Sequence, residues 1–458
     1  MNQEFLQSLC KRHQAQLLEI TDDTVRIAVN GTPSADLLDA LRFATHRKID
    51  IECWTAEQLE KHQHQKPSLP DVADETTSAV AWLDDTLLHA LTRRASDIHI
   101  EPGEAHCRVR LRIDGVLHPH ASLPMSMAQA VMARLKVLGE LDIAERRLPQ
   151  DGQFSVPLQG KTVSFRLSTL PCRTGEKAVL RLLEQNDRPL SVETLGMLVA
   201  QQASFYRAIS SPQGLILVTG PTGSGKTITL YSALGELNSP EINLCSVEDP
   251  IEIPLPGLNQ TQVNLKAGLN FQNVLRALLR QDPDVVMVGE IRDGETAEIA
   301  IKAAQTGHLV LSTLHTNSTV ETITRLEQMG IARWMLASAL EIIIAQRLVR
   351  RLCPHCRVQS PDPLSLPEGI CDRLVFPWEA RGCTQCYGGF YGRVALFEVL
   401  ALEPDLRQAI IDGASARQID RLARERGMIT LFEHGLHAVE QGLTTLAEVY
   451  RVLGMPHE

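Results

Sequence analysis

Leu215-Ile-Leu-Val-Thr219 runs directly into Gly220-Pro-Thr-Gly-Ser-Gly-Lys-Thr227, and residues 228–237 then carry apolar side chains at helical spacing, with Gly235 the one weak point. A short apolar run of buried-strand type, a glycine-rich turn and a helix, in that order and with the pattern G-x-x-x-x-G-K-[ST], predict a phosphate-binding loop. Such a turn directs several backbone N–H groups and the positive end of a helix dipole at one point, which suits a polyphosphate. Lys226 would neutralise the β- and γ-phosphates, and Thr227 would offer its hydroxyl to Mg²⁺. Gly220, Gly223 and Gly225 would let the backbone approach closely, and Pro221, Thr222, Ser224 and Thr229 complete the candidate nucleotide-binding set. A chance match on an ordinary strand-to-helix turn is the alternative, and eight fitting residues in the right context weigh against it.

Working outward, apolar runs at 215–219, 242–247, 285–288 and 309–314 alternate with helical patterns from Phe205 to about Leu348. That order predicts a doubly wound, mostly parallel sheet, whose ligand site lies at the C-terminal ends of its strands. Polar residues follow three of these runs. Val247-Glu-Asp-Pro-Ile-Glu252 places Glu248 and Glu252 after the second, and Val285-Val-Met-Val-Gly-Glu-Ile-Arg-Asp293 places Glu290 and Arg292 after the third, a Walker B form with Glu for the usual Asp. One carboxylate can hold Mg²⁺ through its waters while another orients and deprotonates the attacking water. We assign the metal side to Glu290 and the base to Glu248, an assignment that residue type leaves open; ordinary helix-capping acids are the bland alternative. His308 and His315 bracket the fourth run, and either suits a γ-phosphate contact or a satisfied core histidine.

A chain of 458 residues is long enough for two to four domains. No segment has the apolar length of a transmembrane helix, and the first ten residues lack a basic-then-apolar secretory layout, so a cytosolic protein is expected. A net charge of −10 with 4% aromatics argues against a general nucleic-acid surface. Of ten cysteines, Cys353, Cys356, Cys383 and Cys386 form two C-x-x-C pairs with 26 residues between them, which reads as a closed tetrahedral Zn²⁺ site; a disulfide pair is the weaker alternative. Cys10, Cys53, Cys107, Cys172, Cys245 and Cys371 are expected as reduced, mostly buried thiols.

The expected division is a small α/β docking unit at 1–62, a Pro-containing polar linker at 63–77, an α+β domain at 78–185 and a connection at 186–204. The nucleotide core follows at 205–349, the tetracysteine module at 350–395 and a helical part at 396–458. In the α+β domain a helix starts at Ser78, and residues 107–113 alternate strictly before the Asp114-Gly115 turn. Arg108, Arg110 and Arg112 thus share one strand face, read here as solvated.

Together the phosphate loop, the 247–252 acidic box, the 288–293 Walker B element, Thr306-Gly-His-Leu-Val-Leu-Ser-Thr-Leu-His-Thr-Asn317 and the tetracysteine module resemble the assembly ATPases of type II secretion and type IV pilus systems, the GspE/PilB group. The resemblance covers nearly everything from Ser78 onward. It implies an α/β RecA-like P-loop NTPase core preceded by an α+β, PAS-like domain, with ATP, Mg²⁺ and Zn²⁺ as cofactors. It also implies a homo-hexameric ring held by an inner-membrane platform or anchor protein, at the inner face of the cytoplasmic membrane. Matched residue by residue, it makes His308 and His315 functional, lets Arg166 and Arg181 reach the nucleotide from the preceding domain, and adds Arg276, Arg280 and Arg292 from the core. The arginine- and leucine-rich repeats of relatives that bind cyclic di-GMP are not found, so no such binding is expected, nor any nucleic acid. A retraction or DNA-transfer motor, a nucleic-acid translocase and a non-hydrolysing regulatory ring are the competing readings; intact Lys226, Glu248 and Glu290 weigh against the last.

Overall fold

The computed structural model describes residues 15–20, 24–30, 37, 48–54, 72–183, 190–364 and 375–455. They divide into two compact units, Met1–Leu83 and Asp84–Glu458. In the first, β1 (Gln16–Ile20) pairs antiparallel with β2 (Thr24–Asn30), which pairs parallel with β3 (Lys48–Trp54). Alternation along β2 sends Val25, Ile27 and Val29 into a small core with Ala15 and Leu37. The helical patterns near 35–43 and 55–61 lie almost wholly outside the described residues, as do His62, His64 and the start of the expected linker. A helix, Val72–Thr92, begins before Ser78, inside that expected linker. Residues 72–77, Val-Ala-Asp-Glu-Thr-Thr, contain neither Gly nor Pro and so carry no helix breaker.

The second unit opens with a wholly antiparallel sheet built from β4 (Ala95–Glu101), β5 (His106–Ile113), β6 (Val116–Pro124), β7 (Gln150–Leu158), β8 (Lys161–Cys172) and β9 (Gly175–Leu183), in the order β6-β5-β4-β9-β8-β7. Its inward residues, Val109, Leu111, Leu167 and Leu180 among them, are buried, as are Ala128, Val131 and Leu135 of the helix Met125–Leu138. Across the sheet, register sets Arg166 opposite Arg181, Arg181 opposite Asp97 and Asp97 opposite Arg112. A row of three arginines and one aspartate therefore crosses four strands. Side chains directly opposite in a sheet share a face, which places this row on one surface.

The larger sheet contains β10 (Gly214–Thr219), β11 (Leu244–Glu248), β12 (Leu258–Gln262), β13 (Val285–Val288), β14 (Leu309–Leu314) and β15 (Leu340–Leu352), while β16 (Arg357–Gln359) and β17 (Trp378–Ala380) form a separate ribbon and β18 (Phe390–Ala401) returns to the sheet. The order is β12-β11-β13-β14-β10-β15-β18, parallel through β15 and antiparallel at β18. The expected parallel core is therefore present, with an antiparallel edge strand added from beyond the cysteines. Both β15 and β18 cross the boundaries expected at 349/350 and 395/396, and the helix Val199–Ile209 starts inside the segment expected to be a connection. Among the described residues four helices follow β18, and Leu406, Ile410, Ile419 and Ala423 join the same core as Leu336 and Ile343.

One buried carboxylate ties the last helix to β15. Glu448, 2% exposed, accepts from Arg350 at 2.5 Å and from two nitrogens of Arg451 at 2.8 Å. Burial opposes its ionisation, but the two guanidinium groups prevail and hold the carboxyl down at about 2, against 4.5 for a free side chain. A depressed folded-state pKa stabilises above the unfolded value and loses that contribution as pH falls through the folded one. The carboxylate with its two arginines thus contributes about 3 kcal/mol at neutral pH, lost between about pH 4.5 and 2. Glu448→Gln is expected to lower stability by a similar amount. Urea unfolding at pH 7 and pH 3 checks this; equal stability of the two proteins at pH 7 would contradict it.

Candidate functional site

The helix Lys226–Leu237 starts at Gly225, whose φ of +89° is open to glycine at little cost, and a Cβ there would lie 2.8 Å from Gln346 Nε2. Lys226 folds back on its own loop, donating to the Gly220 carbonyl at 2.8 Å and to that of Pro221 at 3.1 Å. Burial pulls its pKa down against the pull of Glu290 and Glu252, so an anion in the loop would restore the ammonium's preference for charge. Ser224 Oγ is buried without a hydrogen-bond partner, an orphan that a phosphate oxygen would satisfy. Residues 222–227 line a cavity of about 900 Å³.

The acidic strand ends meet in that cavity, with different surroundings. Glu248 is 4% exposed and accepts from Tyr231 at 2.5 Å, Ser246 at 2.6 Å and Gln260 at 3.1 Å, all uncharged donors. Glu290 accepts from Arg292 at 2.5 Å and lies 3.3 Å from His315 Nε2. Burial raises its pKa, yet Arg292 and His315 leave the carboxyl below its ordinary range, so it is an anion at neutral pH. Asp293 does fit the bland alternative: it caps the helix Gly294–Gln305 through Thr296 N at 2.8 Å. Asp249, Glu252 and Arg292 also line the cavity.

Arg181 lines it too, held by Asp97 at 2.9 Å, and so does Arg112, 3.7 Å from the same carboxylate. The reading of Arg112 as a solvated face residue is corrected; Arg108 and Arg110 instead pair with Glu101, at 3.2 and 2.8 Å. Asp97, on the neighbouring strand, was the signal that could have singled out Arg112. Tyr231 and Gln260 also escaped notice, because each sits in an otherwise ordinary helix or strand pattern.

Several expected residues are not brought to the cavity within one chain. His308 stands one residue before β14, whose Leu309 is level with Gly214 and whose Leu314 is level with Thr219. It therefore lies a full strand, about 20 Å, from the phosphate loop, and its ring contacts the Ala303 carbonyl at 3.0 Å. Within one chain His308 is thus not placed at the phosphate loop, whereas His315, at the other end of the strand, lines the cavity. Arg166 is exposed one strand beyond Arg181. Arg276 pairs with Glu295 at 2.7 Å, and Arg280 donates to the Arg276 carbonyl at 2.9 Å. Thr229 lies behind the loop, donating to Gln346 at 2.7 Å.

The sulfurs of Cys353, Cys356, Cys383 and Cys386 all lie within 4.8 Å of one another. Three of the separations are 3.9, 3.7 and 3.6 Å, far from a disulfide bond and close to the spacing of about 3.8 Å that four thiolates take around Zn²⁺. The exposed His355 is outside the cluster. Cys107 and Cys245 are buried thiols as expected, Cys172 is exposed, and Cys10 and Cys371 lie outside the described residues.

Residues 72–451 match the family described as Type II/IV secretion system protein. The chain is 60% identical over 459 positions to a Protein transport protein HofB homolog of Escherichia coli (strain K12), covering 100% of both. It is 43% identical over 417 residues to the Type IV pilus assembly ATPase PilB of Acinetobacter baylyi, covering 89% of this chain and 72% of that one. Among solved structures it is similar to the pilus retraction motor PilT with bound ADP, at 28% identity and a TM-score of 0.55, over 82% of this chain and 97% of that one.

Proposed function

The chain belongs to the family of type II/IV secretion system proteins, and from that premise we propose that it is an ATPase working as a homo-hexamer to drive assembly of type IV pilins or type II secretion pseudopilins. The observation that carries this reading is the single cavity in which the phosphate loop faces Arg112 and Arg181 of the antiparallel sheet. An arginine brought from a second domain stabilises transition-state charge only while the domains are closed, which links hydrolysis to movement.

In this reading Lys226 exchanges the Gly220 and Pro221 carbonyls for the β- and γ-phosphates, and Ser224 donates to a phosphate oxygen. Thr227 and Glu290 would hold Mg²⁺, which supplies positive charge to the phosphate oxygens. Glu248 takes the proton of the water that attacks the γ-phosphorus as the bond to the bridging oxygen breaks and ADP leaves. His315 and Arg292 keep Glu290 anionic. Arg181 contacts the transferring group, Arg166 follows in the same row, and the exposed Arg276 and Arg280 face the nucleotide of a neighbouring chain in the ring. Cys353, Cys356, Cys383 and Cys386 would hold a structural Zn²⁺. No described helix is long and apolar enough to cross a membrane, and residues 1–62 are proposed to dock on an inner-membrane platform protein.

Arg181→Ala is expected to lower turnover about a hundredfold while changing nucleotide affinity severalfold at most. Steady-state phosphate release with a parallel nucleotide titration separates the two. Unchanged turnover, or a loss confined to affinity, would remove the finger role, and a wild-type chain releasing no phosphate in the presence of Mg²⁺ would remove the ATPase reading.

A further inference from the structure

The β5–β6 hairpin reaches from the arginine-bearing sheet to the segment that follows the second cysteine pair. At its tip Asp114 has a φ of +49°, a conformation that Asp and Asn tolerate better than most residues. Its carboxylate accepts from Gly392 N at 3.0 Å and lies 3.6 Å from Arg94, whose guanidinium sits 3.7 Å over the Tyr391 ring. Further along the hairpin the His118 and Tyr387 rings stand 4.2 Å apart. One hydrogen bond, between residues 278 positions apart, and two ring contacts thus join the hairpin's domain to the segment after the cysteines, while the ion pair with Arg94 holds Asp114 from its own side.

Both ends of this contact are anchored. Tyr387 and Phe390 exchange backbone hydrogen bonds at 3.1 Å, and Cys353 N donates to the Gly389 carbonyl at 2.8 Å, which fixes the loop to the cysteine cluster. On the hairpin side, Arg112 donates to the Gly115 carbonyl at 3.1 Å and shares Asp97 with Arg181. Asp114, Gly115, Arg112, Asp97 and Arg181 all line the nucleotide cavity. A continuous path therefore leads from Gly392 through Asp114 to both arginines.

We propose that Asp114 is a positioning residue: clasped by Gly392 and by Arg94, which itself stacks on Tyr391, it holds the hairpin so that Arg112 and Arg181 stand over the phosphate loop. The inference rests on the ATPase reading, because the arginines matter only if a phosphoryl group is transferred beneath them. It adds that the module after the cysteines sets the geometry of the catalytic cavity. A contact of this kind acts on the population of the closed arrangement, so its removal costs turnover by a factor typical of coupling between sites, about tenfold.

The test uses the full-length protein, ATP and Mg²⁺. Asp114→Ala is expected to lower kcat about tenfold with KM changed by no more than about twofold. Asp114→Asn keeps an acceptor for Gly392 and tolerates the backbone, so it should restore most of kcat. Added to Arg112→Ala/Arg181→Ala, Asp114→Ala should cause no further loss, because its effect passes through those arginines. Full additivity in that background, or equal losses for Ala and Asn, would overturn the proposal. Should Asp114→Ala not fold, Tyr391→Ala approaches the clasp from the other side and must show the same kcat loss and the same non-additivity. Amide exchange at residues 110–116 gives a readout free of turnover. Tyr391→Ala should speed it, and unchanged exchange would refute the clasp even if the wild type proved to be no ATPase, whereas faster exchange without phosphate release would refute the ATPase reading alone.

Discussion

Lys226→Ala is expected to cut phosphate release from ATP by a hundredfold to about a thousandfold, the largest single loss at any position in the cavity. The ammonium is a compact charge only 9% exposed, in a setting where burial already disfavours it. Water screens such a charge poorly, so its interaction with the phosphates is much stronger than a surface pair would give. Without nucleotide it is occupied by the carbonyls of Gly220 and Pro221, 2.8 and 3.1 Å away. Truncation leaves those two acceptors unpaired, a cost of about 1–3 kcal/mol that a fold of this size absorbs. The variant should thus melt a few degrees lower at most while losing turnover. Phosphate release measured beside a melting curve decides the matter: a well-folded variant retaining a third of wild-type turnover would dispose of the phosphate-loop reading.

Zinc loss should have the largest effect on stability. The cluster does not hang on a peripheral loop: Cys353 follows directly on β15, and Phe390, four residues after Cys386, starts β18, where it pairs with Leu352. The metal would close the far end of the antiparallel pair β15–β18. Structural zinc sites supply on the order of 10 kcal/mol of apparent binding energy at neutral pH, which counts toward folding because the unfolded chain has no preformed site. The purified protein is expected to contain about one zinc per chain. Cys356→Ser should reduce that to near zero and expose residues 350–401 to limited proteolysis, with a clear fall in Tm. Metal analysis finding no zinc in protein prepared without chelator would refute the site. Full zinc content in the variant would show that Cys356 is not a ligand.

The elements that serve the nucleotide were legible where a dozen neighbouring residues suffice. The apolar run 215–219, the glycine turn and the helix after it are local structures, and the two C-x-x-C pairs carry their ligand spacing within themselves. The acidic residues at 248 and 290 were also readable, because a parallel sheet sends the ends of all its strands to one edge. Less could be said of the partners those acids would meet. Tyr231 reaches Glu248 from a helix 17 residues before it and Gln260 from a strand 12 residues after it, partners that periodicity does not pair, and Arg292 looks like Arg276 until the cavity separates them.

By itself, then, the sequence determined the phosphate loop, the class of the sheet, the cysteine cluster and the alternation that lines arginines along one strand face. Only the tertiary structure decided that Arg112 and Arg181, rather than Arg108 and Arg110, share a carboxylate above the loop, that His315 and not His308 lies at the working end of β14, and that β18 joins the sheet from beyond the cysteines. The reason is physical: periodicity records which side of its own element a residue occupies, whereas the neighbour it faces depends on strand register and crossover direction, set by contacts between residues tens to hundreds of positions apart.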